Sequence, residues 1–355
     1  MPALTLAPNQ FLIVFASGKD RDDPAGELHT DFGLDRSAGG HLALSRPADG
    51  GGVQVVSAYA LYPKQEEDVS YGAYGAASPL SVGYFQEPTP GQPNGLTAVE
   101  GFVGDTAFSV DRGFYGTPFE VSVTAPTPGA SLIYTLDGSV PSDGNGTKID
   151  PVGGDTPPVA LVPITTTTTL RVIATKQGFE PTNVDTQTYI FPEAVLAQGE
   201  PEQDYANWGK SGPDWEMDPE ITGNDDPEVR PVADDLKRIA TVSLVMNWDE
   251  MFGRRGIYIS GEGVEKDTSI ELINPENSVG DPNSAEGFQV DGTVQVVGGS
   301  STGRWKSDNL SLRLKFGPDL RYPVFGDEAT GRFDTLVLDA RLNNVWHYGG
   351  GSDPS

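Results

Sequence analysis

The chain contains no cysteine, which excludes disulfides, thiolate metal sites and a cysteine nucleophile. It also lacks an apolar run of the roughly 18 residues that a membrane-spanning helix needs, so we expect no membrane insertion. Positive charge is scarce, because 23 Lys and Arg face 51 Asp and Glu, for a formal net charge of −28. Such a charge repels nucleic acid and anionic lipid, and we expect neither as a partner.

Glycine and proline are abundant instead, at 44 and 29 in 355 residues. Together with short alternating apolar runs, they predict turn-rich β structure, and the length predicts roughly two or three domains. The start of the chain, from Met1 onward, has no basic segment and no apolar run long enough for a signal peptide. We therefore expect that the true start of the chain precedes Met1.

Residues 1–94 contain short predicted strands separated by glycine turns. This pattern is typical of a β-sandwich. Four stretches stand out: FLIVFASGKD (11–20), LHTDFGL (28–34), DVSYG (68–72) and YFQEPTPGQPN (84–94). Together they resemble the second half of a bacterial lamin-tail domain, an immunoglobulin-like module. The resemblance implies a partial first sandwich over residues 1–94, without its first strand or two, and a connector over 95–110.

A second β-rich block spans residues 111–192. Val121 and Val123 alternate with polar residues, and the turn at Asp137-Gly138 follows a further strand. The threonine run 165–169 begins the strand that follows it rather than marking a glycosylated segment, because β-branched residues favour sheet. The stretches PFEVSV (118–123), IYTLDGSVP (133–141), TLRVIA (169–174) and YIF (189–191) resemble the chitobiase/β-hexosaminidase carboxy-terminal-type domain. This resemblance implies a second sandwich of immunoglobulin or fibronectin type.

The third region follows an acidic, proline-rich linker over residues 193–238. A short helix is predicted over 232–239 and a strand over 241–246, after which Asn247 can cap a helix whose third residue is Glu250. The third domain is therefore predicted over residues 239–355.

Within this third domain, residues 287–327 hold the stretch where chemistry is expected. Alternating apolar residues predict one strand near 290–296 and another near 310–316, and a glycine-rich, polar run separates them. Backbone N–H groups of such a loop can approach an anion. Positive charge lies beside it at Arg304, Lys306, Arg313 and Lys315. The alternative interpretation is a plain surface hairpin.

Four stretches of the same region are similar to those of a known family: GGSS (298–301), LSLRL (310–314), LRYPVFGD (320–327) and FDTLVL (333–338). They resemble the opening half of a spore-coat protein H (CotH) kinase-like domain. The resemblance implies a kinase-like amino-terminal lobe, ATP with Mg²⁺ or Mn²⁺ as cofactor, and phosphorylation of an extracytoplasmic protein. The residues implied in nucleotide binding are Gly298, Gly299, Ser300, Ser301, Gly303, Lys306 and Arg313.

The metal-binding and catalytic aspartates of that family belong to its second half, and no residue of this sequence is assigned to those roles. We therefore expect a fragment that is inactive by itself. The fold class predicted is mainly β: two immunoglobulin-like sandwiches followed by a truncated, mixed α+β kinase-like lobe. The expected location is extracellular or at the cell surface. The alternative function is a non-catalytic surface protein that adheres to cell-envelope polysaccharide.

Other motifs are weaker. Gly299-x-Ser301-x-Gly303 matches a nucleophile elbow, with His347 following, but an elbow needs a strand-to-helix turn and a strand follows here. The Asp31-Phe32-Gly33 triplet precedes every candidate glycine loop, and this order disfavours a kinase metal motif.

Ligand-type residues elsewhere also favour structural roles. Asp143, Asn145 and Thr147 begin like a calcium loop, but Gly154 stands where the closing glutamate belongs, so a polar turn is the better interpretation. The histidines are too scattered for a zinc triad. Trp305 and Trp346 could stack on a sugar or adenine, although core packing is the commoner role.

Overall fold

The computed structural model describes residues 4–75, 80–154, 156–199, 217, 222–223, 232–275, 287–298, 310–325 and 331–340. These residues are mainly β, as predicted, and the helices with described bounds have only four or five residues. The chain forms two compact units, Met1–Phe102 with Gln177–Glu180 and Val103–Lys176 with Pro181–Ser355.

The first unit contains three two-stranded sheets in the part of the chain that is described. Its strands are β1 (Val14–Phe15), β2 (Leu28–His29), β3 (Gly40–Pro47), β4 (Val53–Tyr62), β5 (Ser70–Tyr74) and β6 (Ser81–Phe85). They pair β1 with β2, β3 with β4, and β5 with β6.

The pairing in this unit differs from the predicted sandwich. The longest pair, β3 and β4, leaves apolar side chains in solvent, with Leu44 61% and Val53 77% exposed. A sandwich requires each sheet to bury one face against the other, and this hairpin buries little beyond Tyr62.

The second unit begins with a sandwich of two sheets. Its strands are β7 (Ala107–Phe108), β8 (Gly113–Phe114), β9 (Phe119–Thr124), β10 (Ser131–Thr135), β11 (Thr147–Ile149), β12 (Val159–Ile164), β13 (Thr168–Thr175) and β14 (Asp185–Ile190). The strand orders are β12-β9-β7 and β11-β10-β13-β14-β8. Alternate residues of β9 and β12 are buried, among them Val121, Val123, Val162 and Ile164. The predicted period-two pattern is confirmed here.

Aromatic side chains close one end of this sandwich. Tyr189 is fully buried and lies edge-on to Tyr115 and Phe119, with ring centroids 5.7 and 5.4 Å away. Its hydroxyl donates to the carbonyl oxygen of Val110 at 2.8 Å. The polar end of the ring is thereby satisfied while its body fills the core.

A five-stranded antiparallel sheet completes the second unit. Its strands, in both chain and spatial order, are β15 (Thr241–Val245), β16 (Lys266–Ile273), β17 (Phe288–Val296), β18 (Leu312–Arg321) and β19 (Arg332–Leu338). The short helices are α1 (Pro192–Leu196), α2 (Val232–Leu236), α3 (Trp248–Met251) and α4 (Ile257–Ser260). The predicted cap of α3 is confirmed, since the Asn247 side chain accepts from the backbone N–H of Asp249 at 2.9 Å.

The two faces of this sheet differ in chemistry. One face packs Ile270, Val294 and Leu314 against Ile257 and its helical neighbours in an apolar cluster. Because side chains alternate along a strand, the residues between them point the other way. We call this second side the polar face; it is formed by Ser243, Asp267, Ser269, Glu271, Gln289, Asp291, Thr293, Gln295, Arg313 and Lys315.

Candidate functional site

One end of the polar face is covered by the sandwich through a buried charged network. Glu271 has 0% of its surface exposed and accepts from the backbone N–H of Thr188 at 3.0 Å and from the Thr188 hydroxyl. The Arg112 guanidinium lies 3.3 Å from the Glu271 carboxylate and donates to the carbonyl oxygen of Phe288 at 2.9 Å. These contacts join the sandwich to the sheet.

Burial dominates the electrostatics of this network. It raises the pKa of Glu271, because the charged form loses its hydration, while the Thr188 hydrogen bonds and the charge of Arg112 oppose that rise. Burial likewise lowers the pKa of Arg112, against the favourable charge of Glu271. Each ion is therefore held in place by its partner, and removing one would leave the other uncompensated.

The turn before β11 makes a second contact with the sheet. Gly138 has φ +79°, a conformation that favours glycine, and a Cβ there would lie 3.2 Å from Cγ1 of Val245 on β15. The carbonyl oxygen of Gly138 accepts from the Arg171 guanidinium at 3.2 Å. This turn therefore contacts both Val245 on the sheet and Arg171 on the sandwich.

An open cleft of about 800 Å³ lies beside these contacts, between the sandwich and the polar face. The sandwich contributes Val140, Arg171 and Asn183 to its lining, and the sheet contributes Asp267, Asp291 and Thr293. We refer to it as the interface cleft.

Arg171 is the most buried cation in the interface cleft, at 7% exposed. Its Nε atom is buried and has no hydrogen-bond partner among the described residues. Burial raises the pKa of Asp291, and the charge of Arg171 opposes that rise. Arg171 therefore places a largely buried positive charge beside the exposed carboxylate of Asp291.

The predicted nucleotide-binding residues fall only partly within the described structure. Gly298 follows the end of β17, and Arg313 lies on β18 directly opposite Gln295. Gly299, Ser300, Ser301, Gly303 and Lys306 lie outside the described residues. The β17–β18 pairing does bring the two ends of the predicted loop together, because Val297 N–H donates to the Ser311 carbonyl at 2.9 Å.

An acidic segment, Gly261-Glu262-Gly263-Val264-Glu265, contacts this end of the hairpin. The backbone N–H of Gly298 donates to Oε1 of Glu262 at 2.9 Å. Glu265 pairs with Lys315 and accepts from the Thr293 hydroxyl at 3.2 Å. The hydrogen bond from Lys315 lowers the pKa of Glu265. Donors suited to a phosphate are thus held by two carboxylates of the chain itself.

The residues near the hairpin do not fit the metal that the CotH resemblance implies. Among the described residues, no group of three or more His, Asp or Glu side chains is arranged to hold a metal ion. The nearest carboxylates, Glu262 and Glu265, are engaged by Gly298 and Lys315.

A serine–histidine pair in the first unit resembles part of a hydrolase site. The Ser17 hydroxyl lies 2.7 Å from Nδ1 of His29, and Glu27 lies 3.6 Å from Nε2. However, the backbone N–H groups of Ser17 and Gly18 already donate to the carbonyls of Phe15 and Phe32. These two backbone donors are therefore not free for an oxyanion, and a structural role for buried His29 is the better interpretation.

The calcium-like stretch forms a hydrogen-bonded turn. Ser142 and Asn145 exchange backbone hydrogen bonds of 2.9 and 3.0 Å, and Asp143 pairs with Lys148 at 3.3 Å. The predicted nucleophile elbow and His347 lie outside the described residues, as do Trp305 and Trp346.

Sequence reasoning missed Glu262, Glu271 and Arg171. Glu262 lies between Gly261 and Gly263, a pattern that indicates a turn, but nothing in that pattern indicates its contact with Gly298. Alternation marked Glu271 as opposite to the apolar face, and nothing local indicated that a second domain would bury it.

Comparison with known proteins supports one module. Residues 110–186 match the chitobiase/beta-hexosaminidase C-terminal domain family, which confirms the resemblance noted for this block. Neither the curated proteins nor the solved structures include a significant match to the chain. Among the described residues, none of the helices has the length and apolar character needed to cross a membrane.

Proposed function

We propose that residues 239–355 are the nucleotide-facing part of a CotH kinase-like domain, carried by an exported protein on immunoglobulin-like modules. The β17–β18 hairpin carries this proposal. Its paired strands bracket the glycine-rich run, Gly298 places a backbone N–H at the loop entrance, and Arg313 lies on the neighbouring strand. The proposed ligand is the phosphate chain of ATP.

The physical case rests on how phosphates are bound. A glycine loop covers the phosphates with backbone N–H groups, and a nearby cation neutralises them. Gly298 has φ +131°, a conformation that L side chains rarely adopt, so the turn needs glycine at this position. Arg313 and Lys315 concentrate positive charge there in a chain of net charge −28.

Phosphoryl transfer needs more than this hairpin. In the family, metal-binding aspartates with Mg²⁺ or Mn²⁺ come from a second half, and an extracytoplasmic protein would be the acceptor. The step that we propose for this hairpin is nucleotide binding. The alternative, a non-catalytic surface protein that adheres to cell-envelope polysaccharide, is compatible with the same modules.

Replacing Arg313 or Lys306 by alanine is expected to weaken ATP binding by about tenfold or more, because each change removes a charge-assisted hydrogen bond to phosphate. Isothermal titration of the whole protein with ATP, with and without Mg²⁺, measures this effect. Arg332→Ala is the matched control, since Arg332 lies on β19 at the opposite end of the sheet and pairs with Asp319. Equal affinity in all four proteins, or no binding by any, would overturn the nucleotide assignment.

Glu262→Gln is expected to strengthen ATP binding by about three- to tenfold. The carboxylate holds the Gly298 N–H and repels an incoming phosphate, whereas an amide is a weaker acceptor and carries no charge. Glu120→Gln makes the same change in net charge at an exposed position of β9. If both variants raise affinity equally, the effect is a general charge effect and Glu262 does not compete for the site.

A further inference from the structure

We propose that a pocket in the first unit is a docking site for an apolar segment of a partner protein that carries basic residues beside its apolar side chains. The pocket has a volume of about 480 Å³, which lies within the range of known ligand sites, and its lining comes from residues 4–6, 10–15 and 24–28. We call it the first-unit pocket. The hairpin of the proposed nucleotide site belongs to the second unit, so the two proposals rest on different observations.

The lining of the first-unit pocket is largely apolar. Its large apolar side chains are those of Leu4, Leu6, Leu12, Ile13, Phe15 and Leu28. Leu28 is buried, at 3% exposed, whereas the other five residues remain 41–51% exposed. Large apolar side chains that stay exposed together mark an interaction site, because covering them removes apolar surface from water.

The charge at this pocket is negative. Glu27 lines it with a side chain that is 72% exposed, and the described lining residues include no cation. One wall is a turn in which the Gly26 N–H donates to the Asp23 carbonyl at 3.0 Å, and exposed Asp22 and Asp23 lead into that turn. Carboxylates beside an apolar surface favour a partner with Lys or Arg next to its apolar residues. The net charge of −28 adds attraction at longer range.

Free backbone donors favour a peptide over a lipid chain as the occupant. Within the part of the chain that the structure describes, four N–H groups of the lining donate no hydrogen bond, those of Leu4, Thr5, Leu6 and Leu12. These residues lie outside the strands and helices. An extended peptide offers carbonyl oxygens to such donors while its side chains enter the pocket, and an acyl chain has no acceptors along its length.

Isothermal titration of the whole protein with three capped hexapeptides, KLLFLK, ELLFLE and KSSTSK, tests the proposal. We expect KLLFLK to bind and each of the other two to bind about tenfold more weakly or less. The acidic peptide is repelled by Glu27 and its neighbours, and the polar peptide has no apolar side chains to cover the pocket.

Variants of the pocket separate the apolar contribution from the charge. Leu12→Gln is expected to weaken KLLFLK binding by about tenfold, because it removes apolar surface from the wall. Glu27→Gln is expected to weaken it by about threefold and to reduce its salt dependence. The matched controls are Leu61→Gln and Glu87→Gln, which make the same changes at exposed positions of the first unit outside the pocket and should leave affinity unchanged.

Three results would overturn the proposal: no binding of KLLFLK, equally tight binding of ELLFLE or KSSTSK, or control variants that weaken binding as much as the pocket variants do. Circular dichroism shows whether each variant keeps its fold. Should Leu12→Gln lose it, Ile13→Gln repeats the test at a lining residue that is 51% exposed.

Discussion

Arg112→Ala is expected to lower the free energy of unfolding of the second unit by about 3–5 kcal/mol. The substitution leaves Glu271, which has no exposed surface, without its ionic partner, and it also removes the donor to the Phe288 carbonyl. Neither group can regain its hydration while the sandwich stays on the sheet. Urea denaturation followed by circular dichroism measures the loss.

Two further variants separate this cause from a general effect of losing an arginine. Lys148→Ala breaks an ion pair with Asp143 that is open to solvent, so it is expected to change stability little. The double variant Arg112→Met with Glu271→Leu removes both charges together and should recover part of the loss, since no unpaired ion is then buried, while Thr188 and the Phe288 carbonyl still lack their partners. Equal stability of Arg112→Ala and Lys148→Ala would contradict the role assigned to the network.

Tyr189→Ala is expected to destabilise the sandwich by about 3–5 kcal/mol, because it leaves a large cavity beside Tyr115 and Phe119. Loss of the near-ultraviolet circular dichroism signal and a lower urea midpoint would report this change. The ring is fully buried, and close-packed neighbours relax only partly into a space of that size.

Tyr189→Phe is the matched comparison for the ring. It keeps the packing and removes only the hydrogen bond to Val110, so the expected cost is about 1 kcal/mol. A phenylalanine variant as unstable as the alanine variant would show that the hydroxyl, rather than the ring, stabilises this end of the sandwich.

Much of the second unit could be predicted because its signals are local. The alternation of Val121 and Val123 predicted a half-buried strand, and Asn247 followed by Glu250 predicted a helix start. The first unit was harder. Its strands at 40–47 and 53–62 have strand-forming residues, but the apolar side chains of Leu44 and Val53 remain exposed, and period-two patterning alone does not show whether a partner sheet covers them.

A candidate site could be predicted from the sequence only where its residues lie in one continuous stretch. Glycine spacing and nearby cations pointed to the hairpin that begins at Gly298 and returns at Arg313. The interface cleft could not be found this way, because Asn183 lies on the sandwich and Asp267 on the five-stranded sheet, and neither stretch is unusual by itself.

The sequence by itself determined the mainly β class, the acidic character and the strand positions of the sandwich. These depend on composition and on the alternation of apolar and polar residues along each strand. The tertiary structure alone decided which face of the last sheet is covered. The alternation of apolar and polar residues along its strand predicts that Glu271 faces solvent. It is instead buried, and it accepts a hydrogen bond from Thr188, which lies 83 residues earlier. Such pairing depends on how two folded surfaces meet, and no local pattern encodes it.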